Sequence, residues 1–193
     1  MQTIDTTYTN TLEIKQSKFI AYFVPYQFYK KTLEKLKNEH PKARHFVTAT
    51  RYINEFDQVV ESSSDDGEPK GTSGKPTLAV IQGQELINIG IITIRYFGGT
   101  KLGTGGLVRA YSEATNLVLQ TAELLEYKKE IQIDIEVAYS DLSIVEYEIK
   151  KDGITIVNKE FLVSEVVVKI SATTEVLEIF LEKVKWLVCI KQS

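Results

Sequence analysis

Ile87-Asn88-Ile89-Gly90-Ile91-Ile92-Thr93-Ile94-Arg95-Tyr96 runs straight into Phe97-Gly98-Gly99-Thr100-Lys101-Leu102-Gly103-Thr104-Gly105-Gly106 and then into Leu107-Val108-Arg109. The first run is too dense in β-branched residues for a half-exposed strand and reads as a buried central strand. Past the glycines, Leu107, Ala110, Tyr111, Ala114, Leu117, Val118 and Ala122 share one helical face, which predicts a helix over 107–124. Strand, glycine-rich turn and helix in that order let backbone N–H groups converge on an anion, phosphate being the natural candidate. Gly98, Gly99, Gly103, Gly105 and Gly106 leave room for it, and Arg95, Lys101 and Arg109 surround it with positive charge. This boundary puts Arg109 in the first helical turn, against the positive end of the macrodipole, a cost that a bound anion would offset. The plainer alternative is that the glycines permit tight strand–helix packing and that Arg109 pairs with Glu113 at i,i+4.

Upstream, 17–26 is rich in aromatic and β-branched types and reads as a strand ended by Pro25. A helix carrying Phe28, Leu33 and Leu36 follows and closes at Pro41, and 44–53 reads as a further strand. The stretch from Glu61 to Pro76 is packed with turn formers and reads as a loop, with a short helix over 77–84 carrying Leu78, Ala79 and Ile81. Within that loop Asp65, Asp66 and Glu68 form an acidic segment, suited to docking or to an ion, and Lys70 and Lys75 offer a second anion contact. The acidic spacing is not that of a calcium loop, and metal binding there stays open.

Downstream, strand (131–138), helix (141–151), strand (154–157), strand (161–170), helix (174–184) and strand (186–190) make the β-α-β-β-α-β order of a ferredoxin-like domain. The expected division is 1–127 and 128–193, an α+β protein of two domains whose junction carries neither Pro nor Gly.

The 193 residues, 43% hydrophobic and 25% charged, suffice for sizeable cores. A net charge of −3, with the acidic excess after residue 127, confines any polyanion contact to a local patch. Cys189, the one cysteine, excludes an internal disulfide framework and a multi-cysteine zinc cluster, and reads as a core thiol in a reducing compartment. With no leader-like N-terminus and no long apolar run, the expectation is a cytoplasmic protein with no membrane partner. His40 and His45 flank Pro41 and lack helical zinc spacing, so they read as structural or surface histidines.

Nucleotide fingerprints fail. Gly98 and Gly103 match the first spacing of a P-loop, but Thr104 stands where its lysine must be, and Gly103-x-Gly105 is followed by Val108 where the dinucleotide motif needs glycine or alanine. No Gly-x-Ser-x-Gly elbow is present, so a hydrolytic triad has no support.

The segments Glu61–Pro76 and Ile94–Tyr111, with Lys15–Ile20 as an entry, closely resemble the signature blocks of the YigZ/IMPACT family, and the resemblance extends over essentially the whole chain. It implies an N-terminal domain similar to the second domain of ribosomal protein S-five, a fold shared with domain IV of elongation factor G and with some small-molecule kinases. It also implies a C-terminal ferredoxin-like domain resembling domain V of that factor. Family members are linked to translation regulation, the eukaryotic ones by restraining an amino-acid-starvation kinase through its activator. Relatives often carry His-Asn-Cys where this sequence has His45-Phe46-Val47, so thiol chemistry there cannot operate, and Cys189 does not replace it. The expectation is a non-catalytic translation-associated regulator that binds RNA or the ribosome through the cationic turn, with no cofactor. The alternatives are a protein-interaction module in stress regulation of translation, docking through the acidic loop, and an enzyme acting on a small phosphorylated ligand with Asp65, Asp66 or Glu68 as base or metal ligand.

Overall fold

The computed structural model describes residues 1–190, and the chain falls into two compact units that meet between Tyr127 and Lys128. The first unit runs β1 (Gln2–Thr3), β2 (Tyr8–Ile14), β3 (Ser17–Pro25), α1 (Tyr26–Glu39), β4 (His45–Ile53), β5 (Val59–Ser64), α2 (Gly74–Gly83), β6 (Ile89–Tyr96), α3 (Thr104–Gln120) and β7 (Leu125–Glu126). Five strands form one antiparallel sheet in the order β2-β3-β6-β4-β5, while β1 and β7 pair with each other.

β6 is central, as its composition predicts, and every residue from Ile89 to Arg95 is buried. Its side chains alternate between two cores. Ile89 and Ile91 join Phe19, Ala21, Val47 and Ala49 beneath α2 and α3, while Ile92 and Ile94 meet Val24 and Leu36 on the α1 side. A strand covered on both faces has no need of polar alternation, which is why it reads as a continuous apolar run.

Several boundaries differ from the sequence reading. β2 lacks the dense apolar signal of β3 because it is an edge strand whose residues alternate between half-buried and exposed. The supposed loop from Glu61 contains the end of β5 and the start of α2, which begins at Gly74 rather than at 77. α3 begins at Thr104, three residues before its first apolar position, because Thr104, Gly105 and Gly106 carry no periodic signal. In α1 Leu36 is buried and the half-buried Tyr29 and Leu33 pack beside it, whereas Phe28 is exposed.

The second unit runs β8 (Glu130–Ala138), α4 (Leu142–Lys151), β9 (Thr155–Phe161), β10 (Glu165–Thr173), α5 (Thr174–Val184) and β11 (Val188–Ile190). Its antiparallel order β11-β8-β10-β9 is the ferredoxin-like arrangement. Ile135, Val137, Val166, Val168 and Ile170 of the sheet pack against Val145 and Ile149 of α4 and Leu177, Phe180 and Val184 of α5. Phe161 ends β9 rather than opening β10. Cys189 is exposed on the short β11, correcting its assignment to the core. Among the described residues no helix is long and apolar enough to cross a membrane.

One contact ties the glycine-rich turn to the sheet edge. Lys15 and Gln16, both with positive φ, turn β2 into β3, and Ser17 Oγ accepts from the Gly98 N–H at 3.1 Å. A Cβ at Gly98 would lie 2.0 Å from the Gln16 carbonyl carbon. Gly98→Ala is expected to destabilise the chain by about 1–3 kcal/mol, the range of overpacking, measured by urea denaturation.

Candidate functional site

Antiparallel register lines up Phe19 of β3, Arg95 of β6 and His45 of β4 on one rung. Arg95 is only 5% exposed. Its guanidinium carbon lies 5.4 Å from the Phe19 ring centroid and 5.6 Å from that of Phe97. A buried guanidinium needs a counter-charge, and Glu68 supplies it. Arg95 Nη1 donates to Glu68 Oε1 at 2.6 Å, and the Tyr111 hydroxyl of α3 donates to the same oxygen at 2.8 Å. Burial first, and the Glu68 carboxylate second, push the Tyr111 phenol far above its ordinary range, so it stays protonated and donates. His45 Nε2 stands 4.0 Å from Glu68 Oε1, its Nδ1 being paired with the Asp66 carbonyl at 2.8 Å.

The loop that delivers Glu68 is folded by its own carboxylates. Asp65 Oδ1 accepts from the Ser73 N–H at 3.1 Å, the Ser73 hydroxyl at 2.7 Å and the Gly74 N–H at 2.8 Å, and Oδ2 accepts from the Gly71 N–H at 2.7 Å. Asp65 thereby caps α2 from outside the helix. Burial alone would raise its pKa, but the hydrogen bonds from Gly71, Ser73 and Gly74 outweigh it and hold the carboxyl below its ordinary value. Asp66 Oδ2 accepts from the Phe46 N–H at 2.6 Å, fastening the loop to β4.

α3 starts differently. Gly103 precedes it with φ 74° and ψ 167°, a combination open to glycine alone, and no side chain caps the helix. The first internal bond runs from the Leu107 N–H to the Gly103 carbonyl, so the amides of Thr104, Gly105 and Gly106 come before the helical ladder. Beside them is a cavity of about 330 Å³ lined by Glu68, Pro69, Arg95, Phe97, Lys101, Leu102, Gly103, Thr104 and Leu107.

The structure therefore joins the two glycine-rich segments but sorts their charges. Lys70, Lys75, Lys101 and Arg109 are exposed, whereas Arg95 is buried and ion-paired. Glu68 is buried too, so it forms no part of an exposed acidic surface, and Asp65 is engaged by backbone. Arg109 sits in the second turn of α3 and not at its start, which removes the macrodipole argument for it. Lys75 is the cation in a first helical turn, that of α2, where Asp65 offsets it. Of the turn's glycines Gly103 lines the cavity, whereas Gly98, Gly99 (φ 87°), Gly105 and Gly106 do not, and neither do Lys70, Lys75 and Arg109. The sequence reading missed Phe19 as the ring beneath Arg95, and Tyr111 and His45 as neighbours of the Glu68 carboxylate. Tyr111 was counted only as part of an apolar stripe, although a phenol there needs an acceptor once buried.

Two outcomes follow for the loop. Glu68→Leu leaves Arg95 uncompensated and is expected to cost about 3–5 kcal/mol, with Glu68→Leu/Arg95→Met recovering a large part, in a denaturation double-mutant cycle. A depressed carboxyl contributes stability that is present above the unfolded-chain value of about 3.9 and lost as pH falls through the folded value. Asp65→Asn should flatten the corresponding acid limb of the thermal stability profile.

A profile of the Impact N-terminal domain matches residues 15–119, taking in both glycine-rich segments. A Haemophilus influenzae protein described as an IMPACT family member is 37% identical over 155 residues, covering 77% of this chain and 74% of its own. The Escherichia coli IMPACT family member YigZ is 34% identical over 152 residues, with the same coverage of 77% and 74%. A crystal structure of a hypothetical protein aligns with a TM-score of 0.76 at 27% identity, over 100% of this chain and 96% of the other. By the matched domain and by these relatives, the chain belongs to the IMPACT family.

Proposed function

We propose that the protein is a non-catalytic regulator of translation that holds RNA or the ribosome against the surface around the start of α3. The observation that carries this reading is the convergence of the two glycine-rich segments on one cavity, Glu68 and Pro69 from the first and Arg95 to Leu107 from the second. Of the exposed cations, Lys101 lines the cavity, Lys70 follows the lining residue Pro69 in the chain, and Lys75 and Arg109 belong to α2 and α3. Uncapped helical amides favour phosphate oxygens, and lysines on flexible stems bind a phosphodiester chain as point charges without reading its sequence. With a net charge of −3 over the chain, attraction of a polyanion falls to this local group. Translation enters through the family resemblance, which also makes the protein-interaction reading its competitor.

The test is binding to ribosomes and to a ribosomal RNA fragment as a function of salt, with and without ribonuclease. Log affinity is expected to fall linearly with log salt, and alanine at each of Lys70, Lys75, Lys101 and Arg109 should reduce the slope by roughly 0.7–1. An unchanged slope in the quadruple variant overturns the assignment of the surface. Ribosome association that survives ribonuclease and the quadruple variant alike makes the contact one with protein.

A further inference from the structure

We propose that the groove beside Trp186 in the second unit docks a protein partner through a segment in which an arginine or lysine stands next to an aliphatic residue. The cation would lie between the indole and the carboxylates of Asp141 and Glu165, with the aliphatic side chain on the apolar surface of Trp186. The proposal is independent of the surface proposed for the first unit.

The first observation is apolar surface held in a fixed shape. Trp186, the chain's one tryptophan, is 85% exposed, and Val163 is fully exposed. Trp186 lines a groove of about 460 Å³ in which Ala138, Leu187 and Val188 are further apolar walls. Val163 precedes the lining residue Ser164 in the chain. The turn that carries Val163 is braced from two sides. The Leu162 N–H donates to the Glu165 carbonyl at 2.9 Å, and the Tyr139 hydroxyl donates to the Leu162 carbonyl at 2.6 Å. The Tyr139 ring also stacks on Phe161, with centroids 6.5 Å apart. Apolar side chains presented on an ordered turn lose little further freedom on association, and an exposed tryptophan is the residue type that anchors protein interfaces.

The second observation is the charge of the same groove, which selects the occupant. Glu136, Asp141 and Glu165 line it against one cation, Lys185, whose ammonium is bonded to Glu182. Asp141 and Glu165 are half-buried, and among the described residues neither carboxylate has a hydrogen-bond or ion-pair partner. A carboxylate that has lost part of its hydration gains from a charged donor brought by a partner. The indole next to them also accepts a cation, since Lys185 Nζ lies 5.3 Å from the centroid of its ring. An arginine fork serves carboxylate and ring together. The same carboxylates repel a phosphodiester chain and an anionic headgroup. A second copy docking groove to groove would set like charges against each other across the two-fold axis. The complement of this surface is therefore a basic, aliphatic segment of another protein.

The one tryptophan supplies the readout, because its emission moves to the blue when the indole leaves water. The full chain is titrated with three capped peptides, Arg-Leu-Arg-Leu-Arg, Gln-Leu-Gln-Leu-Gln and Arg-Gly-Arg-Gly-Arg. A saturable blue shift is expected with the first, at an affinity at least about tenfold above that of either control. Asp141→Asn with Glu165→Gln should weaken the arginine–leucine peptide by about tenfold or more while leaving Tm unchanged, since asparagine serves the start of α4 as well as aspartate does. Val163→Ser should weaken it too, without unfolding the turn. No saturable shift, equal affinity for the glutamine peptide, or full affinity in the Asp141→Asn/Glu165→Gln variant each overturns the proposal. A blue shift produced instead by phosphatidylcholine vesicles, with or without phosphatidylglycerol, makes the groove a membrane contact and overturns it. One that appears on raising the protein concentration alone makes the occupant a second copy and likewise overturns it. Neither result bears on the salt slope set by Lys70, Lys75, Lys101 and Arg109, so the two proposals fail separately.

Discussion

The buried pair of Arg95 and Glu68 is the constraint on which the candidate site of the first unit depends. A guanidinium at the last buried position of a central strand cannot be hydrated there, and leaving it unpaired costs several kcal/mol. The sheet has no carboxylate to offer on that rung, where Phe19 and His45 flank Arg95. The counter-charge has to come from outside the sheet. Satisfying it brings the 65–73 loop down onto β6, and the Tyr111 hydroxyl ties α3 to the same oxygen. One carboxylate oxygen thereby fixes strand, loop and helix relative to one another.

The loop can meet that demand because its backbone is organised separately. Asp65 collects donors from Gly71, Ser73 and Gly74, and Asp66 binds the Phe46 amide of β4. A loop rich in glycine and serine loses much conformational entropy on ordering, and these charge-assisted bonds offset part of that loss. The division of labour is by position: Asp65 closes the loop on itself, Asp66 fastens it to the sheet, and Glu68 neutralises the interior. Three acids close in sequence thus have three environments, and none of them acts as part of a uniform acidic patch.

This explains what was legible in the sequence. β6, the body of α3 and the β-α-β-β-α-β order were readable because burial of one or both faces imposes periodicity on side chains. The start of α3 was not, since Gly103, Gly105 and Gly106 have no side chains and Thr104 is polar, so no apolar pattern marks it, and the error moved Arg109 into the first turn. The exposed edge strand β2 escaped for the related reason that half of its residues face solvent. The pairing of Arg95 with Glu68 joins residues 27 apart in sequence through tertiary contact, and no local spacing encodes that. The one available signal was Arg95 itself, a cation inside a β-branched run that could not be both buried and solvated.

Burial also divides the positive charge around α3 into two kinds with different physics. Lys70, Lys75, Lys101 and Arg109 are exposed, so their fields are screened over about 8 Å at physiological ionic strength. Contacts made by them suit a polymer that must bind and release along its length, with affinity set by salt. Arg95 lies beneath the surface in a low-dielectric setting where screening is weak, and Glu68 cancels most of its field at long range. Its influence is confined to the cavity that it lines, together with the short-range field of the α3 amides. The fold thus takes one of these cations out of water, on β6, and leaves the others in it, on the loop, the turn and the helices α2 and α3.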